Sequence, residues 1–175
     1  VPDIAALSKG FGAGYMPLGA VIAQEEIVEA VLGQGGFIHG FTYAGNPLAC
    51  AAGLAVIEEI ERQDMMANAL DVGTQLGHRL CALMNRYPII GDVRGMGMLQ
   101  AFELVADRAT MAPLPKEMNA YDRLVEAAYD EGLIIYSRRT RGGYSGDHFI
   151  VAPPMISTME HVDEIIEKLT RALDR

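Results

Sequence analysis

The dipeptide Asn46-Pro47 constrains the fold of this sequence more than any other feature. An asparagine side chain accepts from the free N–H groups of a first helical turn, and proline at the first helical position has no N–H to leave unbonded. A helix is therefore expected from Leu48 to about Arg62. It is rich in small residues (Ala49, Ala51, Ala52, Gly53, Ala55), which permit close packing against another element. A second helix follows from about Met66 to Arg86, where Ala69, Val72, Leu76, Leu80 and Leu83 repeat at helical spacing. With two helices in mid-chain, any sheet must come from the segments on either side.

Upstream, Ile4–Leu7 reads as a short buried strand closed by Ser8-Lys9-Gly10, and Leu18–Ala23 as its neighbour. Gln24-Glu25-Glu26 opens a short helix to about Leu32, and the glycine- and aromatic-rich stretch 33–45 is a loop. Downstream, Ile89–Val93 and Met98–Val105 read as strands around Arg94-Gly95-Met96-Gly97, a turn or bulge. Residues 106–116 read as a loop, and a helix from about Asn119 to Asp130 ends at Gly132, a natural C′ residue. Leu133–Tyr136 and His148–Val151 read as strands separated by a polar loop, 137–147. Ser157 and Glu160 have capping-box spacing for a last helix with Met159, Val162, Ile166 and Leu169 inward. The expected class is α/β, in two parts: residues 1–62 as βα material from a larger α/β layer, and 63–175 as a smaller α+β unit with an antiparallel sheet.

Charge and composition exclude several functions. Fourteen basic against 23 acidic residues give a net charge of −9, the wrong sign for a nucleic-acid partner. No apolar run approaches the roughly 18 residues of a membrane span, and the first residues lack the basic region and cleavage site of a signal peptide. Cys50 and Cys81 read as buried free thiols, which fits a cytoplasmic protein. Neither they nor the four histidines have metal-ligand spacing, so no metal is expected.

Lys9 has two readings. A lysine at a strand end is ordinarily a solvated charge, and it precedes its glycines, whereas a Walker motif needs Gly-Lys-Ser/Thr. Alternatively, a partly desolvated amine at the mouth of a sheet is a nucleophile towards an aldehyde. Adjacent glycines would then let the backbone pass close to a bound ring. Pyridoxal 5'-phosphate brings such an aldehyde, and a phosphate that needs donors. Thr42, four residues ahead of the Asn46 cap, is a candidate donor near a helix start, or else an ordinary turn residue.

Several blocks, in order, resemble the class III (omega) aminotransferases, pyridoxal-phosphate enzymes of fold type I. These are Pro2-Asp3-Ile4 with Ser8-Lys9-Gly10 and Pro17–Val21; His39–Tyr43 with Asn46–Ala49; Gly91–Met98; and Ala152–Met155. The resemblance implies the C-terminal part of the fold-type-I large domain over residues 1–62, followed by the small C-terminal domain over 63–175. It implies that Lys9 forms the Schiff base and, once freed, shuttles a proton as general base and acid. It also implies that Thr42 contacts the cofactor phosphate of the neighbouring subunit in a homodimer, and that Arg94 braces the small domain.

The family's chains are longer. Its glycine-rich phosphate loop, ring-stacking aromatic and pyridine-pairing aspartate are expected upstream of Val1, and the segment alone is expected to lack activity. Relatives acting on ornithine-type substrates carry an arginine just before the C-terminal proline, whereas this chain reads His148–Pro153 without one. Arg138, Arg139 and Arg141 precede that segment, and Arg141 is the candidate for the keto-acid carboxylate, against a solvated basic loop. The expected reaction moves an amino group from an amine or omega-amino acid to a keto acid. Alternatives are a fold-type-I decarboxylase or aminomutase, and a non-catalytic binding or assembly module.

Overall fold

The computed structural model describes residues 2–140 and 145–175. The chain divides into two compact units, 1–64 and 65–175.

In the first unit, strand β1 (Ile4–Leu7) pairs antiparallel with β2 (Ala20–Ala23), Leu7 opposite Ala20. Helix α1 (Glu25–Gly33) follows, with Glu25 and Glu26 in its first turn, where carboxylates suit the positive end of the helix dipole. Helix α2 (Pro47–Arg62) starts where the sequence requires it: Asn46 Oδ1 accepts from the N–H groups of Leu48 at 3.0 Å and Ala49 at 3.2 Å. The expectation that β1 is buried fails in this unit. Ile4 is 56% exposed, because a two-stranded ribbon supplies no facing layer.

The second unit has its own core. Helix α3 (Met65–Arg86), α4 (Ala120–Asp130) and α5 (Met159–Leu173) accompany an antiparallel sheet of order β3 (Ile90–Met96), β4 (Leu99–Asp107), β7 (Ser145–Val151), β6 (Tyr136–Thr140). Short β5 (Ala112–Pro113) pairs with β4. The α3 stripe is buried as its period demands, Leu76 and Leu80 most deeply, and meets Val162 and Leu169 of α5 in one cluster. Across the sheet, Phe102 sits opposite Phe149 with the rings stacked at 5.0 Å. Gly132 (φ +77) ends α4, where its N–H donates to the Tyr129 carbonyl and that of Leu133 to the Ala128 carbonyl, the double bond of a Schellman close.

Six expectations need correction. Of the loop expected over 137–147, the described residues are strand: β6 begins at Tyr136 and pairs with β7, Ser137 opposite Phe149 and Arg138 opposite His148. Strand pairing overrides the polar composition, since alternate residues of a one-sided sheet face solvent. Arg94 and Gly95 lie within β3, and the turn is Gly97-Met98. Strand β4 extends to Asp107. The cap of α5 is Thr158, one residue later than expected, and its N–H donates to His161 Nδ1 at 3.0 Å. Ser157 is instead buried, its carbonyl accepting from Asn68 Nδ2 at 3.0 Å, and Met159 is exposed. Cys50 and Cys81 are free but exposed in their units; each adjoins the buried stripe of its helix without belonging to it.

Arg94 is held by Asp92 and by Glu103 Oε2 at 3.0 Å, linking the two strands of the β3–β4 hairpin. Tyr87 closes the α3 end against α5, its hydroxyl donating to Asp174 Oδ1 at 2.6 Å. Burial, then the bond to Asp174, pushes the Tyr87 phenol up to about 12. An unfolded tyrosine titrates near 10. The folded state therefore binds more protons across that window, and stability falls as pH rises from about 10 to about 12. Thermal melts at pH 9 and pH 11.5 are expected to show a larger drop for the wild type than for Tyr87→Phe. Equal drops would show that Tyr87 does not carry the effect.

Candidate functional site

The loop joining β1 to β2 begins with Ser8 in an extended conformation (φ −161°) and Lys9 in the left-handed region (φ +54°). A left-handed L-residue other than glycine is unfavourable by about 1–2 kcal/mol, so this turn places a lysine where glycine would be easier. Backbone bonds close it: Phe11 N–H donates to Ser8 O at 3.2 Å, Gly12 N–H to Lys9 O at 3.1 Å, and Ala13 N–H to Gly10 O at 3.1 Å. The glycines act individually. A Cβ on Gly12 would fall 2.5 Å from the Met16 carbonyl oxygen, whereas a Cβ on Gly10 would meet nothing within 4 Å.

The chain contains three lysines. Lys168 bonds the Gly132 carbonyl and pairs with Glu164, and Lys116 has an interaction of its own. Lys9 is exposed, and among the described residues its amine has no hydrogen-bond or ion-pair partner. The partial desolvation expected of it is not supplied by this unit. What the unit provides is an accessible, uncommitted amine on a turn with fixed backbone geometry.

Thr42 lies inside the first of two overlapping tight turns, Ala44 N–H donating to Phe41 O at 2.9 Å and Asn46 N–H to Tyr43 O at 3.0 Å. The hydroxyl is exposed. Because Asn46 already occupies the Leu48 and Ala49 N–H groups, an anion near Thr42 would depend on the hydroxyl more than on the helix end. A cavity of about 490 Å³ separates this loop from the end of the lysine loop, lined by Met16, Leu18, Phe41, Tyr43, Asn46 and Ala49 among others. Neither Lys9 nor Thr42 lines it, and no hydrogen bond joins the two among the described residues.

Arg141 lies outside the described residues. Arg138, on β6 in the second unit, places its guanidinium 5.2 Å from the Tyr136 ring centroid. No group of three metal-binding side chains occurs among the described residues, and no described helix is long and apolar enough to cross a membrane. Sequence reading singled out Lys9 and Thr42 but not Leu18, whose tip rests against Gly53 of α2. The available signal was a glycine four residues after Ala49, on the one buried face of that helix.

The family model for Aminotransferase class-III matches residues 1–173. A diaminobutyrate–2-oxoglutarate transaminase of Halomonas elongata is 38% identical over 178 residues, covering 99% of this chain and 37% of that protein. A leucine/methionine racemase of Thermococcus litoralis is also 38% identical, over 98% of this chain and 36% of its own length. Among solved structures, a PLP-bound amine transaminase from an uncultivated Pseudomonas species superposes with a TM-score of 0.89 at 36% identity, covering 99% of this chain and 38% of that one. The chain thus spans little more than a third of the length of the relatives it matches.

Proposed function

Because this chain belongs to the class-III aminotransferase family, we propose that it is the C-terminal portion of a pyridoxal-phosphate-dependent aminotransferase. The whole protein would move an amino group from an amine or omega-amino acid to a keto acid. One observation carries the reading: among the described residues Lys9 is the lysine left without a partner, on a turn whose backbone is unfavourable for its side chain. Such local strain is commonly retained at functional positions. Residues 1–62 would be the C-terminal part of the cofactor-binding large domain, and 63–175 the small domain.

The donor set fits the cofactor. An amine free of partners suits an aldehyde, and an exposed threonine hydroxyl suits a phosphate oxygen. When bound, pyridoxal 5'-phosphate would supply that aldehyde and a sink for the electrons released at the substrate carbon. Lys9 Nζ would hold it covalently. Once released, the same amine would take a proton from the substrate carbon and return one, the task of a general base and acid. Thr42 would donate its hydroxyl to the phosphate of a neighbouring subunit, which makes a homodimer the proposed active form. Arg141 is proposed for the carboxylate of the keto acid. The free thiols of Cys50 and Cys81 suit a reducing compartment, and the cytoplasm is the one proposed.

A second reading has its own support. The racemase relative is as similar in sequence as the first transaminase, so a product other than an exchanged amino group deserves a direct test. Two measurements on the full-length protein decide. Borohydride reduction of the cofactor-loaded protein, followed by peptide mass mapping, is expected to leave a pyridoxyl adduct on Lys9 and none on Lys116 or Lys168. No adduct on Lys9 in folded, saturated protein would overturn the reading in favour of a binding module. Incubation with an amino donor and pyruvate is expected to yield alanine. Carbon dioxide, a rearranged amine or an inverted amino acid without alanine would favour the non-transaminase chemistry.

A further inference from the structure

We propose that Gly53 of α2 is a positioning residue for Lys9, acting through Leu18, an inference that rests on the reading of Lys9 as the cofactor lysine. The Lys9 turn is held by its own backbone bonds and stays exposed at Lys9 and Gly10. A left-handed lysine relaxes to a commoner conformation unless its surroundings hold it in place. Within this unit α2 packs against the Lys9–Phe11 turn and supports it from outside.

The contact is tight and specific. A Cβ built on Gly53 would lie 2.4 Å from Leu18 Cδ2 and 3.7 Å from the Phe11 carbonyl oxygen. Leu18 in turn stands against the turn itself, its Cβ 3.4 Å from the position a Cβ on Gly12 would take. Gly12 is buried, as are Ala49 and Gly53, the two buried residues of α2. Leu18 is therefore a strut between the face of α2 and the turn that carries the lysine. Its tip is the flexible end of a leucine, so crowding at position 53 displaces the strut before it breaks the helix. The expected consequence is a misplaced Lys9 amine in a folded protein.

The test uses the full-length protein with and without cofactor. Displacements of about 1 Å can reduce rates by about 100-fold. On that scale Gly53→Ala is expected to lower kcat by about tenfold or more while the KM for the amino donor moves by less than about threefold. In the cofactor-free protein, acetylation of Lys9 by acetic anhydride, with Lys116 and Lys168 as internal references, is expected to change in rate by about threefold or more. A merely structural role would not move kcat apart from KM, nor change Lys9 against the two reference lysines. Leu18→Val in the Gly53→Ala background shortens the strut as the helix face grows, and is expected to restore both readouts to within about threefold of wild type. Leu18→Ala alone removes the strut without a clash, so it keeps the idea testable if Gly53→Ala folds poorly; the amides of Gly12 and Ala13 are expected to exchange hydrogen faster.

Unchanged Lys9 acetylation and kcat in Gly53→Ala, an effect that Leu18→Val does not relieve, or unchanged exchange in Leu18→Ala would each overturn the inference. The outcomes separate the two ideas. Altered Lys9 acetylation in a protein whose wild type gives no borohydride-stable adduct keeps the strut and rejects the cofactor reading. An adduct on Lys9 that is insensitive to Gly53→Ala does the reverse.

Discussion

Lys9→Ala is expected to lower kcat/KM for amino-group transfer in the full-length protein by roughly 1,000-fold or more. Removing a general acid–base alone commonly lowers the rate by about 10²–10⁴-fold, and Lys9 is proposed both to hold the cofactor and to move the proton. A thousandfold loss corresponds to about 4 kcal/mol of transition-state stabilisation. Lys9→Arg should be as damaging, because a guanidinium stays protonated and cannot act as the base. Added methylamine is expected to rescue Lys9→Ala in part, an effect that a solvated surface lysine would not show. Lys9→Gly sharpens the test. The side chain has no partner among the described residues, and φ is +54°. Removing the side chain should therefore stabilise the fold by up to about 1 kcal/mol while abolishing activity. Opposite signs in stability and activity are the mark of a residue kept for chemistry. Steady-state rates near wild type in any of these variants would end the catalytic assignment.

The largest effect on stability is expected at Gly73. In the middle of an exposed helix, replacing glycine by alanine ordinarily stabilises by about 1 kcal/mol. Gly73 reverses the sign, because a Cβ there would lie 2.1 Å from the carbonyl carbon and oxygen of Gly97 and 2.7 Å from its Cα. The obstacle is backbone, and it belongs to the tight β3–β4 turn, where Gly97 itself has φ +55°. Buried Gln100 reinforces the approach, its Nε2 donating to Gly97 O at 2.8 Å and Gly73 O at 3.3 Å. Gly73→Ala is expected to destabilise by about 3 kcal/mol, the upper end of overpacking, and Gly73→Val by more. At roughly 4–8 °C per kcal/mol for a unit of this size, the melting temperature should fall by well over 10 °C. Gly77→Ala should lose less, because the atoms nearest its Cβ belong to the side-chain amide of Gln100, the closest at 3.1 Å. Calorimetry of the three variants checks the order, and a Gly73→Ala protein as stable as wild type would mean that α3 and the turn do not approach this closely.

Local chemistry decided a good part of this protein from sequence. Asn46-Pro47 starts α2 because a cap and its N–H partners lie within three residues of each other. The α3 stripe from Ala69 to Leu83 is buried because helical periodicity is written in i, i+3 and i+4 spacing. Gly132 ends α4 because the closing bonds join neighbours in sequence. Ordered motifs around Lys9, Thr42, Gly95 and Pro153 were enough to suggest the family. What depended on partners distant in sequence was not legible. The polar residues 137–140 became a strand only through pairing with β7. The exposure of Ile4 and of both cysteines follows from which layers face them. The left-handed turn at Lys9 and the contacts of Gly53 with Leu18 and Gly73 with Gly97 likewise appear only when separate elements meet. Caps and periodicity act over a few residues and leave a pattern in the chain, whereas close approach is a relation between surfaces, and a single residue carries no record of which surface will face it.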